Sequence, residues 1–154
     1  MTPYADSNFF TRVYLQLTES EQADRLLRLA EQRKAAALPL TWLHRVEIAN
    51  AFRLHVFQSA NAGQPYITLR QAEQALGHFR SDMQRSEFVR QIEIPFEQLE
   101  KRFEELSVRR TTRHGFRTYD LLHVSSALVL GCDTFWSFDG KASRLARLEG
   151  LKVR

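Results

Sequence analysis

The stretch Tyr119-Asp120-Leu121-Leu122-His123-Val124-Ser125-Ser126-Ala127-Leu128-Val129-Leu130-Gly131-Cys132-Asp133-Thr134-Phe135-Trp136-Ser137-Phe138-Asp139-Gly140 decides the fold. Tyr119 to Leu130 is apolar almost all round, which marks a buried helix. Gly131 stops it, as glycine does where a helix end turns left-handed. Thr134 to Phe138 is a short apolar strand, and Asp139-Gly140 is the turn that follows. One acid, Asp120, stands in the first turn of the buried helix. Another, Asp139, follows the buried strand directly.

The same alternation extends outward. Thr2 to Ala5 reads as a strand ending at Asp6, and Phe9, Phe10, Val13, Tyr14 and Leu17 then fall at helical spacing. Thr18 stands as N-cap with Glu21 three residues on, before a helix carrying Ala23, Leu26, Leu27, Leu29 and Ala30 and a basic end at Arg33 and Lys34. Pro39 stops continuation, and Leu40 to Leu43 reads as a second strand. A helix is expected over 46–57 and a loop over 61–65. Further helices open at Thr68, Pro95 and Ser143. Strands are expected over 88–94 and 151–153. Short strands separated by helices imply a three-layer α/β/α sandwich around a mostly parallel sheet, one domain spanning 1–154.

Asp6, Glu47, Asp120 and Asp139 thus fall at strand-to-helix junctions, which gather at one edge of such a sheet. Each has an ordinary explanation alone: a cap, a turn residue, a first-turn acid or a solvated face. Together they form a cluster whose mutual repulsion calls for cations. Hard ions such as Mg²⁺ or Mn²⁺ suit oxygen donors, and phosphodiester hydrolysis is the chemistry they suit.

The chain has 154 residues and a formal net charge of +4, from 22 Lys and Arg against 18 Asp and Glu. That balance permits a polyanionic partner. Cys132 is the only cysteine. An internal disulfide is therefore excluded, and a reducing cytoplasm is expected. The N-terminus lacks the pattern of a secretory signal, and no apolar run is long enough to span a bilayer. No glycine-rich phosphate loop follows the first strand, which disfavours a nucleotide-binding Rossmann domain. Asp6-Ser7-Asn8 lacks the second acid that a haloacid-dehalogenase-type phosphatase needs.

Four segments resemble PIN-domain nucleases, especially the VapC-like toxins: Tyr4-Ala5-Asp6-Ser7-Asn8, Thr41-Trp42-Leu43-His44-Arg45-Val46-Glu47, His114 to Ala127, and Gly131 to Asp139. The resemblance implies a PIN-like sandwich and Mg²⁺- or Mn²⁺-dependent endoribonuclease action, with Asp6, Glu47, Asp120 and Asp139 as metal ligands. It also implies a homodimer and a cognate antitoxin. Many relatives have Asp-Thr-Ser or Asp-Ser-Ser at the first acid; here Ser7 keeps the hydroxyl that orients Asp6. A processing nuclease without antitoxin, and a non-catalytic domain binding RNA or protein, are the alternatives. Residues 58–94 match no motif.

Arg109, Arg110, Arg113, His114 and Arg117 form a basic run before Asp120, with Lys141, Arg144 and Arg147 after Asp139. Of these, Arg113, His114, Arg117 and Lys141 are the expected RNA contacts. His123 lies about 60° round the helix from Asp120 and reads first as a packed histidine. Trp42 and Trp136 read as core residues. His44, His55 and His78 show no zinc-site spacing. Asp133, ahead of its strand, is expected at the opposite edge from Asp139.

Overall fold

The computed structural model describes residues 2–32, 35–62, 66–85 and 87–154. Arg33 and Lys34, and residues 63–65 of the expected loop, lie outside them. The described elements are β1 (Pro3–Ala5), α1 (Ser7–Tyr14), α2 (Ser20–Gln32), β2 (Leu38–Leu40), α3 (Trp42–Ala62), α4 (Leu69–Arg85), β3 (Val89–Gln91) and α5 (Phe96–Leu106). A π-helical turn (Ser107–Thr111) follows, then α6 (Thr112–His114), α7 (Thr118–Val129), β4 (Thr134–Trp136), α8 (Gly140–Leu148) and β5 (Lys152–Val153).

Every strand pair is parallel: β1 with β4, β4 with β5, and β2 with β3. β2 lies beside β1, so the strands run β3-β2-β1-β4-β5 across the molecule. The chain therefore moves one way from β1 to β3, then returns past β1 to β4 and β5. Right-handed crossovers put the helices of each leg on opposite faces. Side-chain alternation along the strands agrees. Ala5 and Trp136 enter the core formed with Phe9, Phe10, Ile48, Phe52 and Phe79 of α1, α3 and α4. Tyr4 and Phe135 enter the core formed with Leu106, Leu121, Val124 and Leu145 of α5, α7 and α8. The α/β/α layering expected from the sequence is thus the layering observed.

Several boundaries differ. The second strand is Leu38–Leu40, not Leu40 to Leu43, and Trp42 and Leu43 open α3 instead. Pro39 misleads because a proline stops a helix but is tolerated in a strand where its missing N–H is not needed. Leu38 donates to Phe88 O and Leu40 accepts from Ile92 N, so Pro39 between them faces away from β3. Trp42 is consequently 43% exposed rather than core, while Trp136 is wholly buried. α3 runs four residues earlier and five later than expected. α2 begins at Ser20, whose hydroxyl accepts from Leu17 N and donates to Arg12 O. Gly131 ends α7 as anticipated: at φ 67°, with Cys132 N bonded to Ala127 O and Gly131 N to Leu128 O, it forms a Schellman motif.

Between β1 and β2 a side chain replaces part of the ladder. Asp6 N–H bonds Trp136 O on β4 at 3.1 Å, so the carbonyl of the same trans peptide, Ala5 O, points the other way. It accepts from His44 Nε2 at 2.8 Å. His44 Nδ1 accepts the backbone N–H of Thr41 at 3.1 Å, as the third-position acid of a capping box does. That bond fixes the ring as neutral with its proton on Nε2. Burial, then the neighbouring His123, lowers its pKa from 6.5 to about 3, against a smaller opposing pull from the Ala5 carbonyl.

A neutral buried histidine makes stability fall in acid. Below pH 6.5 the unfolded chain takes up a proton that the folded chain refuses until about pH 3. Urea titrations should show a wild-type loss approaching about 1.4 kcal/mol per pH unit that H44Q lacks. H44A, which orphans the Ala5 carbonyl and the Thr41 N–H, should cost about 2–4 kcal/mol at pH 7. An H44Q slope equal to wild type would rule out this source of acid sensitivity.

Candidate active site

β1 is the point at which the strand order reverses, and loops diverge there to leave a crevice at the carboxyl ends. A cavity of about 190 Å³ lies at that place, lined by Asp6, Ser7, Asn8, Glu47, Arg117, Tyr119, Asp120, His123, Asp139 and Ala142. All four acids singled out in the sequence share it, although they come from four different helices and their N-terminal junctions.

Asp6 follows β1 and caps α1, accepting Phe9 N at 2.8 Å on Oδ1. β4 ends at Trp136 rather than Phe138, so Asp139 stands three residues beyond it; there it caps α8, accepting Lys141 N at 2.7 Å and Ala142 N at 3.2 Å on Oδ1. The helix-capping role and the site role therefore coexist in the same two residues. Asp120 departs from the expected pattern, because a helix rather than a strand precedes α7. After α6, Gly115 turns left-handed at φ 65°, Phe116 is buried, and Arg117 is extended. Asp120 Oδ2 then accepts Arg117 N at 3.1 Å, the reciprocal arm of a capping box. Glu47 stands in the second turn of α3, half-buried.

Burial governs the charges. It raises the Asp6 carboxyl to about 6, although His123 and hydrogen bonds from Ser137 and Phe9 pull it back. Burial likewise raises Asp120, assisted by the nearby charge of Asp139 and opposed by the bond from Arg117 N. Burial pushes Glu47 upward too, but hydrogen bonds from His123 and Ser7 outweigh it and leave this carboxyl below its usual value.

The cluster divides into two halves, each with its own basic partner. His123 Nε2 lies 2.6 Å from Glu47 Oε2 and 3.4 Å from Ser7 Oγ. Arg117 reaches across the other half, with Nε 4.0 Å from Asp120 and Nη2 3.9 Å from Asp139. Among the described residues, no three His, Cys, Asp or Glu side chains converge tightly enough to cage an ion. The four acids share one cavity without forming one ligand cage.

His123 is buried and its ring is satisfied, as a packed histidine would be, yet it also faces the site. Its link to Glu47 spans 76 residues of sequence, so nothing local announces it. Lys141 reaches the site through its backbone N–H, and its charge acts on Asp120. Arg113 is exposed, and His114 sits against Phe116 and 3.4 Å from Arg144 rather than in the cavity. Arg109 and Arg110 are both engaged by the largely buried Glu149, each at 2.7 Å, so the first part of the basic run is committed elsewhere. Asp133 binds Thr2 N at the opposite edge of the sheet, as expected.

The chain matches no family model, and no curated protein matches it in sequence. Solved structures match it in fold. VapC20 from Mycobacterium tuberculosis, a sarcin–ricin loop cleaving toxin, aligns with TM-score 0.60 and 17% identity over 93% of this chain and 94% of that one. VapBC2 from Rickettsia felis, bound to a DNA fragment from its promoter, aligns with TM-score 0.67 and 13% identity over 100% and 98%. VapBC-1 from nontypeable Haemophilus influenzae aligns with TM-score 0.60 and 14% identity over 100% and 97%. The chain therefore has the fold of VapC toxins, which is the fold that the resemblance in the sequence implied.

Asp6 costs the metal-free fold stability. The unfolded carboxyl ionises near pH 3.8 and the folded one near 6, so stability falls as pH rises through that window. Above pH 6, D6N, which keeps an oxygen for Phe9 N, should be more stable than wild type by up to about 3 kcal/mol. Thermal melts in chelator at pH 7.5 would show it. A D6N protein that melts below wild type would contradict the assignment.

Proposed function

We propose that this chain is a Mg²⁺- or Mn²⁺-dependent endoribonuclease, the toxin of a toxin–antitoxin pair acting on RNA in the cytoplasm. The observation that carries the reading is the convergence of Asp6, Glu47, Asp120 and Asp139 on one cavity at the strand-order switch of a VapC-like fold.

The donor set fits a hard divalent ion. Four carboxylates and the Ser7 hydroxyl are all oxygen donors, and two of the carboxyls are raised by burial, so an added cation would relieve them. The absence of a three-residue cage among the described residues does not count against Mg²⁺, which keeps several waters and takes one or two carboxylates together with substrate phosphate. Asp6, Glu47, Asp120 and Asp139 would hold it. Such an ion supplies Lewis-acid stabilisation of the charge that develops as a phosphodiester is cut.

The chain's own groups supply the rest. Asp6 and Asp139 are aimed by their caps, and Asp120 by the Arg117 backbone. The Arg117 guanidinium is 67% exposed and spans two acids at long range, so it is free to turn to a phosphate. Lys141 is exposed beside it, and Arg113 and His114 extend the basic surface along the strand of RNA. The antitoxin and the homodimer belong to the same proposal. Trp42, Val46, Leu54 and Phe57 form an exposed apolar stripe along α3 that supports a protein partner on that face. Among the described residues no helix is long and apolar enough to cross a membrane.

The purified protein should cleave RNA with Mg²⁺ or Mn²⁺ and stop in EDTA. D120N should lower kcat by about 100-fold or more while melting as a folded protein. Gel assays on total RNA, followed by mapping of 5′ ends, would measure both. Cleavage that persists in chelator, or a fully active D120N, would refute the reading.

A further inference from the structure

His123 is held from both sides. Its Nδ1 lies 2.9 Å from the Tyr4 hydroxyl, and its Nε2 lies 2.6 Å from Glu47 Oε2. An ionised carboxylate only accepts, so the proton sits on Nε2 and is donated to Glu47. Tyr4 in turn has no freedom to wander. It is wholly buried on β1, and its ring stacks on Phe135 at 5.7 Å and 10°. The tie runs from the centre of the sheet through α7 to α3, so it links three elements around the cavity. Packing alone does not call for an imidazole here. The ring lines the cavity, 5.0 Å from the His44 ring, where an aliphatic side chain would fill the space but leave the Tyr4 hydroxyl and the Glu47 carboxylate without this partner.

We propose that His123 is a positioning residue: its Nε2–H holds the Glu47 carboxylate beside Ser7 and Asp6, and the Tyr4 hydroxyl holds the ring that does so. Glu47 is then a fixed charge in the cavity rather than a long side chain sampling its rotamers. Histidine contacts of this outer kind are typically worth about 10–100-fold in metal affinity or activity. What the held carboxylate does for RNA cleavage rests on the nuclease reading; the contact itself does not.

The test uses the full chain and the variants H123A, H123Q, Y4F, E47A and H123A/E47A. Three quantities are measured: the thermal midpoint, Mn²⁺ affinity by calorimetry without RNA, and kcat and KM on RNA. H123A should weaken Mn²⁺ binding and lower kcat by about 10–100-fold, with KM changing less. H123Q, whose amide carries an N–H close to the place of Nε2, should recover about tenfold of each. Y4F should fall between wild type and H123A. Adding H123A to E47A should cost nothing further, because both remove the same contact. Wild-type values in H123A, equal defects in folded H123A and H123Q, or additivity with E47A would each overturn the proposal. Should H123A fail to fold, ¹H–¹⁵N spectra of the histidine rings decide. The His123 Nε2 signal should move between wild type and E47Q, and an unmoved signal counts against the contact. If wild type neither cleaves RNA nor binds Mn²⁺, the nuclease reading falls, while the same spectra still decide whether His123 holds Glu47.

Discussion

One peptide group joins the two halves of this molecule. The Ala5–Asp6 amide gives its N–H to Trp136 on β4 and its carbonyl to His44 at the start of α3. On one side the ladder continues through backbone bonds to β4 and β5. On the other, the ladder resumes at β2 and β3, and an imidazole supplies the intervening bond. The next residue along is the Asp6 side chain, so the junction that joins the halves also places the first acid of the site. A buried carbonyl left without that donor would carry the full cost of its desolvation.

Charge sets the second constraint. Four carboxylates on one small cavity are tolerable only with positive or hydrogen-bonding partners, and two side chains add to the backbone N–H groups that already serve Asp6, Asp120 and Asp139. His123 serves Glu47, and Arg117 lies within 4.0 Å of both Asp120 and Asp139. The compensation is incomplete, because Asp6 and Asp120 still have their carboxyls raised by burial. A region that stores unfavourable charge in the folded state, at a strand-order switch point, is where binding of a cation and a phosphate has most to gain. The proteins that share this fold do so at 13–17% identity, so the fold is common ground while the chemistry has to be argued from the cavity.

The basic residues show how tertiary contacts sort a run that looks uniform in sequence. Arg109 and Arg110 leave the π-helical turn towards Glu149 and tie α8 to the end of α5. Arg117, eight and seven residues later, faces the acids instead, because Gly115 turns the chain between them. The two parts of the run thus meet different partners, although composition gives the whole run the same appearance.

The sequence alone determined the layers, the parallel strands and the junction positions of Asp6 and Asp139, because each follows from local pattern. Apolar spacing marks which faces are buried, a short strand must end in a turn, and an acid after it lies at the carboxyl edge of the sheet. Where local signals conflict, the outcome belongs to the fold. Pro39 forbids a helix interior and permits this strand, since β3 bonds its neighbours and not itself. Trp42 looked like core and became the exposed first residue of α3. The roles of His44 and His123 were decided only by tertiary structure: their partners lie 39 and 76 residues away, and a hydrogen bond depends on where two groups finish in space, which no spacing within a single element records.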